Sequence, residues 1–501
     1  MNPSSEEAAL FAELDMRLRS GDLLIEQLKG AFSRYADISF PELPQLEQAR
    51  PQTDKQINKL TVFYCEGMVD KIQLNEYLAK ICQHALNQPP AGANESSKYV
   101  DDLPLFEIKF SIGDMITKLF TGSVIVYLEG DPSFWAVGLA NVPQRALQES
   151  NTEISIKGPK DAFTEDMYTN ISLIRKRMQT GLLFSEQFVI GSLSKTRVTL
   201  LYLSHKANPD MLAEARKRLE TFQAESIVSS GQLEQWLSNR TFSLFPLIDY
   251  IGRPDFVIET LLRGRFAIIV DGSPMVLIGP SNFLELLKTP EDVHFPYHFV
   301  MFQRALRIFA LLLSILLPGF WIAIATVNLD QIPFALLSTV ITSREGIPLP
   351  TILEALLLIF QFELLREAGI RLPKAVGQTI GIVGGLIIGD SLIRAGLASP
   401  TLLVVIAISA VSTFSLVNQS LSGAVSLLRV FILLISSCLG IYGFFLSMFA
   451  VLIYLCRLDS FGLAFLEPIT SLRFKEWLSA ILKNPFRRSR FSSSMINKWK
   501  R

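Results

Sequence analysis

Apolar and polar positions alternate in two different ways along this chain, and the change comes near residue 303. Before it, three segments repeat one pattern of apolar run, polar turn and amphipathic or apolar stretch. They are LTVFYCEGMVDKIQLNEYLAKI from Leu60, SVIVYLEGDPSFWAVGL from Ser123 and RVTLLYLSHKANPDMLAEARKRL from Arg197. The short apolar runs predict buried strands. The first and third continue with apolar residues at three-to-four spacing, which predicts strand followed by helix. Asn208-Pro209 supplies the start of the third helix. The second ends in another apolar stretch and reads as a hairpin. In AIIVDGSPMVLIGP, Asp271-Gly272 lies between two apolar runs, which is the strongest short hairpin signal. The expectation is an α/β N-terminal soluble part of two related subdomains, residues 58–150 and 151–303, after a helical and flexible segment 1–57.

Beyond residue 303 the pattern becomes that of an all-α multi-span membrane domain, 304–458, with a basic tail, 459–501. A helix needs about 20 apolar residues to cross a hydrocarbon core of about 30 Å. Leu306–Val327 and Val430–Leu455 meet this almost without charge. Val376–Ile393 is apolar and glycine-rich, Thr401–Val417 is apolar, and Ile352–Leu365 is apolar but holds Glu354, Gln361 and Glu363. IPFALLSTVITSREGIPLP is too short and too punctuated by proline to cross. Arg304 and Arg307 precede the first span, and the tail is rich in Lys and Arg. Both ends therefore favour the cytosol, which requires an even number of crossings. With five apolar segments one must fail, and Ile352–Leu365 is the choice. The basic loop Arg366, Arg371 and Lys374 argues the other way.

Composition adds exclusions. Formal net charge is zero, so the whole molecule offers no electrostatic case for nucleic acid. The acidic start carries no apolar targeting segment, which places the N-terminal part on the side of synthesis. Cys65, Cys82, Cys438 and Cys456 have no paired-ligand spacing. Pro296 breaks the helix that would bring His294 and His298 to one metal, so no metal or cofactor is expected. The basic triplets at 175–177 and 216–218 read most simply as solvated helix faces, with contact to anionic lipid or a partner as the alternative. No catalytic constellation emerges, so an enzyme is not expected.

Ionisable residues at membrane depth are costly and point to function or to buried pairs. Glu354, Glu363, Arg366, Glu367 and Asp390 are the candidates for a polar path or gate; structural ion pairs are the bland alternative. Glu363 and Glu367 lie one turn apart on one helix face, and Asp390 and Arg394 have the spacing of an internal pair. Gly381, Gly384, Gly385 and Gly389 would let neighbouring helices approach closely.

Three stretches carry a resemblance. KGPKDAFTEDMYTNISLIRKRM (Lys157–Met178), GRPDFVIETLLRGRFAIIVDGSPMVLIGP (Gly252–Pro280) and FELLREAGIRLPKAVGQTIGIVGGLIIGD (Phe362–Asp390) resemble the motifs of spore germination receptor A subunits. The family-motif residues of the second are Arg253, Pro254, Asp255, Asp271 and Gly272. The resemblance covers roughly 155–470, and Lys157, Gly252 and Asp390-Ser391 depart from the family pattern. It implies a protein of the spore inner membrane; the multi-pass arrangement with both termini cytosolic comes from the apolar segments and the charges above. A transporter-like B subunit and a lipoprotein C subunit would be its partners. It further implies an oligomerising signalling subunit that forms or gates an ion channel in response to nutrients. A secondary ion or amino-acid transporter, or an accessory paralogue acting without the usual partners, are the alternatives.

Overall fold

The computed structural model describes residues 3–42, 59–87, 99–100, 103–109, 111–141, 156–238, 243–371, 387, 389–416, 418–467 and 469–470. Two compact units divide them: one takes in the residues up to 238 together with Ile248–Pro280, the other takes in 243–247 and the residues from Ser281 on.

The first unit begins with helices α1 (Pro3–Ser20) and α2 (Ile25–Ala31). Its first sheet holds β1 (Ile38–Ser39), β2 (Leu60–Cys65), β3 (Tyr99–Val100), β4 (Leu103–Lys109), β5 (Ser123–Leu128) and β6 (Ser133–Gly138), with α3 (Lys71–Asn87) and α4 (Ile112–Leu119) between strands. Then come α5 (Met167–Arg175), β7 (Leu183–Ile190), β8 (Thr196–Leu203), α6 (Pro209–Thr221), α7 (Ser230–Leu237), β9 (Asp249–Ile251), α8 (Pro254–Leu262), β10 (Phe266–Val270) and β11 (Val276–Gly279). The strand orders are β1-β2-β5-β6-β4-β3 and β7-β8-β10-β11-β9.

The two sheets share one plan, as expected of related subdomains. The series β2-α3-β4-α4-β5-β6 gives the order β2-β5-β6-β4; the series from β8 through α6, α7, β9 and α8 to β10-β11 gives β8-β10-β11-β9, all antiparallel. The match extends to single bonds. The amide of Glu129 donates to the Lys59 carbonyl at 2.9 Å, and that of Asp271 to the Arg197 carbonyl at 3.0 Å. Gly122 and Gly130 flank β5 as Gly264 and Gly272 flank β10, all four with φ between 84° and 93°. The helix starts follow local chemistry: the Asn208 side chain accepts from Asp210 N at 2.9 Å ahead of α6.

The second unit is helical: α9 (Tyr297–Ile322, continued as a π-helix over Ala323–Val327), α10 (Phe334–Arg344), α11 (Thr351–Arg371), α12 (Pro400–Phe414) and α13 (Gln419–Cys456), closed by a short hairpin of β12 (Asp459–Ser460) and β13 (Leu463–Ala464). Apolar side chains cover its outside as well as its core. Phe309, Leu312, Val404, Val411, Phe431 and Phe449 face outward, while Ser314, Glu354, Ser409, Arg429 and Ser436 are buried. Tyr297–Val327 and Ser420–Cys456 are long and apolar enough to cross a membrane.

One expectation changes here. The run Val430–Leu455, read as one crossing, is broken at Gly440, whose φ 60° and ψ −142° are not helical. A Cβ on Gly443 would lie 2.5 Å from the Ile435 carbonyl oxygen. In a straight helix eight residues rise about 12 Å, so the chain doubles back at Gly440. The arms are 419–439 and 441–456. Ile352–Leu365, chosen as the segment that fails to cross, lies within the 21-residue α11. Residues 372–386 and 388, with Gly381, Gly384 and Gly385, lie outside the described residues.

Candidate functional site in the helical unit

The site begins with a proline. Pro318 sits inside α9 and has no N–H, so the carbonyl of Ser314, four residues back, loses its intrahelical donor. Two other helices supply replacements. Arg429 Nε on α13 donates to that carbonyl at 3.1 Å, and Ser409 Oγ on α12 at 2.9 Å. Arg429 Nη2 also donates to Thr413 Oγ1 at 2.6 Å, and Thr413 Oγ1 donates to the Ser409 carbonyl at 3.0 Å. Gly319 is the next residue, where a Cβ would meet Ile432 at 2.6 Å. Three helices thus converge on one carbonyl. Arg429 is 1% exposed, and among the described residues its hydrogen-bond acceptors are all neutral. A buried cation without a close carboxylate is a costly arrangement.

One turn before Arg429, Ser426 Oγ donates to Glu363 Oε1 on α11 at 2.6 Å. Glu363 Oε2 pairs with Arg366 at 2.6 Å, and Arg366 Nη1 donates to Ser426 Oγ at 3.1 Å. Glu363, Arg366, Ser426 and Arg429 therefore form a polar stripe along the facing sides of α11 and α13. Glu354 lies about two and a half turns earlier on α11, fully buried, and accepts from both the amide and the hydroxyl of Ser399 at 2.5 Å each, at the start of α12. Among the described residues its Oε2 has no hydrogen-bond partner. Placed at the positive end of α12, the carboxylate is favoured by the helix dipole.

The other sequence candidates sit apart from this stripe. Glu367 is exposed. Asp390 pairs with Arg394 at 2.7 Å, both largely in the open. A Cβ on Gly389 would meet only Leu403, at an ordinary 3.6 Å. Arg304 and Arg307 both bond Asp292, at 2.8 and 2.9 Å. Burial would raise the Asp292 pKa, but Arg307, Arg304 and Thr289 hold it below the usual carboxylate range.

In the first unit the motif residues have structural partners. Asp271 accepts from Arg197 at 2.8 Å and from the Met167 amide at 3.3 Å, tying the hairpin turn to β8 and the start of α5. Gly272 supplies the positive φ that the turn needs. Arg253 is buried and bonds Asp255, two residues on, at 2.6 Å, just outside Pro254 at the start of α8. Asn170 and the backbone of Thr164 exchange bonds of 2.7 and 2.6 Å.

Arg175 departs from the reading of its triplet as a solvated face: it is fully buried, while Lys176 and Arg177 are exposed. Its guanidinium donates to both oxygens of Asp37, at 2.8 and 3.1 Å, lies over the Phe120 ring at 4.0 Å and is joined by Ser185 and Cys65 around the same carboxylate. Burial pushes Asp37 up, yet Arg175 and Ser185 bring it below its ordinary value. Burial pushes the Cys65 thiol up, which leaves it unreactive.

Sequence reasoning missed Arg429, although the signal was available: it is the one charged residue in the 38 residues of α13. Among the described residues no group of three or more His, Cys, Asp or Glu is placed to hold a metal.

Known proteins resemble the chain over most of its length. The family described as Bacillus/Clostridium GerA spore germination protein matches residues 26–494. Spore germination protein XA of Bacillus anthracis is 41% identical over 437 residues, 87% of this chain and 89% of that protein. Spore germination protein KA of Bacillus subtilis (strain 168) is 32% identical over 85% of this chain and 79% of its own. A protein from the same strain named uncharacterized membrane protein YfkQ is 30% identical over 85% of this chain and 83% of its own. The crystal structure of the N-terminal domain of the A subunit of the Bacillus megaterium spore germinant receptor GerK3 is 29% identical, with a TM-score of 0.37, covering 52% of this chain and 96% of that one. With the match running from residue 26 to 494, the chain belongs to the GerA spore germination protein family.

Proposed function

We propose that this protein is the membrane-embedded A subunit of a nutrient germinant receptor in the spore inner membrane, acting without catalysis. It works beside a transporter-like B subunit and a lipoprotein C subunit. It assembles with further copies of itself and opens an ion path when a nutrient binds to the complex. The observation that carries this reading is the polar stripe of Glu363, Arg366, Ser426 and Arg429 inside a unit whose outer surface is apolar. Charged groups at membrane depth persist where they line a path or pair across helices. Counting the arms of α13 separately turns five apolar segments into six, an even number that keeps both termini in the cytosol.

Germinant binding has to favour one packing of this stripe over another, since a ligand shifts an equilibrium only by its differential affinity for the two states. Spores lacking the gene, scored nutrient by nutrient, test the assignment. Loss of one response confirms a receptor subunit; normal germination to every nutrient favours the accessory paralogue. Glu363→Gln tests the stripe: the protein remains in the membrane at normal level and germination fails. Normal germination removes Glu363 from the path.

One feature favours a second reading, secondary transport. The break at Gly440 makes α13 a discontinuous helix, a device by which transporters build midplane sites. Saturable, substrate-specific flux through the purified protein in vesicles would select that reading over a channel.

A further inference from the structure

Among the described residues of the helical unit, two charged side chains bury a polar atom that has no hydrogen-bond partner: Arg344 with Nε and Glu354 with Oε2. Their charges are opposite. They come from different helices, Arg344 from the last turn of α10 and Glu354 from the first turn of α11. Both are delivered to one place, the start of α12. Ser343, next to Arg344, holds its Oγ 3.1 Å from Thr401 Oγ1. Glu354 Oε1 takes the amide and the hydroxyl of Ser399, two residues before Thr401. An unmet donor and an unmet acceptor thus flank the same helix start, and each bears the cost of a polar group withdrawn from water. No hydrogen bond or ion pair joins them in this packing.

The two groups suit each other. A guanidinium N–H and a carboxylate oxygen make one of the stronger protein hydrogen bonds, and removing both from water strengthens their attraction. Glu354 is divided for the purpose: Oε1 already has its two donors, so Oε2 accepts Arg344 while Ser399 stays in place. Helix α10 is the part that has to come over. It is loosely held, with Val340 its one buried residue and Phe334 86% and Ile341 57% exposed. Gly346, with φ 85°, follows its end. An element with few buried contacts shifts at low cost.

We propose that Arg344 and Glu354 are the two halves of a latent ion pair. It is open in this packing and closed in a second one, reached when α10 moves across the first turn of α12. Closure ties α10, α11 and α12 together at one point and relieves both unmet atoms at once. The pair rests on the reading of this chain as a two-state signalling subunit, and it names a contact that distinguishes the two states.

The test uses the purified full-length protein in lipid vesicles. Its native cysteines are replaced by serine, and nitroxide-labelled cysteines stand at 334, on the exposed end of α10, and at 411, on the outer side of α12. Pulsed dipolar spectroscopy should resolve two distance populations. Glu354→Gln keeps an acceptor for Ser399 and removes the charge; Arg344→Gln leaves Ser343 in place. Each should deplete one population several-fold, the double variant should deplete it no further, and Arg344→Lys should retain part of it. A single distance that no variant alters, or losses that add in the double variant, would overturn the latent pair. The unfolding temperature should not change in either single variant, because the pair is open at rest. A matched fall in both would mean a contact already closed, and would overturn the latency. Spores lacking the gene test the reading beneath: if they germinate normally to every nutrient, the receptor assignment falls while the distances still decide the pair.

Discussion

Each unit holds a completely buried arginine, Arg175 in one and Arg429 in the other, and the two are solved in opposite ways. Arg175 in the sheet unit meets Asp37 with two hydrogen bonds, and the pair is closed over by aromatic rings. Arg429 in the helical unit meets a carbonyl and a hydroxyl, and its nearest carboxylate neighbour along the stripe, Glu363, is occupied by Arg366 and Ser426. The first arrangement is a clamp: both charges are spent on each other, and removing either leaves the other stranded. The second keeps a charge available. Losing Arg429 would strand nothing, because the Ser314 carbonyl keeps Ser409, and Thr413 keeps the Ser409 carbonyl. A buried ion that stabilises is therefore recognisable by what its removal would orphan.

The contrast is sharpest in stability. Asp37→Ala should cost about 3–5 kcal/mol, the usual loss when one member of a buried pair goes, read as a lowered first transition in thermal unfolding of the detergent-solubilised protein. Acid should do the same by titration. Asp37 sits below its ordinary pKa, so its contribution is whole above the unfolded value of about 3.9 and disappears as pH falls through the folded one. Gly440→Ala comes next. Its Cβ would collide with Asn328 Oδ1, the acceptor of the Ile441 amide, at a φ of +60°. Strain of about 1–3 kcal/mol plus the clash should unfold the α13 turn, seen as faster amide exchange over 436–446.

Arg429→Met should change stability by less than about 1 kcal/mol, since nothing buried is left unpaired, yet germination should fail with membrane abundance unchanged. Equal destabilisation by Arg429→Met and Asp37→Ala would erase the distinction drawn here. The smallest effect belongs to Glu234, a half-buried carboxyl pushed up to about 7 by burial and by Asp249. Its folded pKa lies above the unfolded one, so its contribution to stability is present in acid and is lost as pH rises toward 7. Glu234→Gln should gain a few degrees of Tm at pH 8 and none at pH 4, the opposite slope to Asp37.

The sheet unit was legible where chemistry is local. Asp271-Gly272 named its hairpin and Asn208-Pro209 its helix start. The repeated apolar-run pattern announced two related halves, because turns and caps depend on neighbours in sequence. Arg175 was not legible as part of a basic triplet. Only its place beside Ile171, Ile174 and Met178 on the buried side of α5 gives it away, and its partner lies 138 residues earlier. In the helical unit, composition located Glu354, Glu363 and Arg366 but ranked the exposed Asp390 with them. The break at Gly440 was hidden inside an apolar run, since a contact with Asn328, 113 residues before Ile441, defines it.

The shared Ser314 carbonyl has a mechanical meaning. One acceptor gripped from two sides fixes the axial register of α9, α12 and α13 together, because a slide of one residue, about 1.5 Å, would pull a donor off it. The three helices are thereby tied to one register. Helix α11 packs on them through Ala355, Leu358 and Ile359, and its polar links are the side chains of Glu354 and Glu363, which can change partners while the helices stay whole. Under the proposed receptor function, the trio would serve as the frame and α11 as the bolt that slides against it.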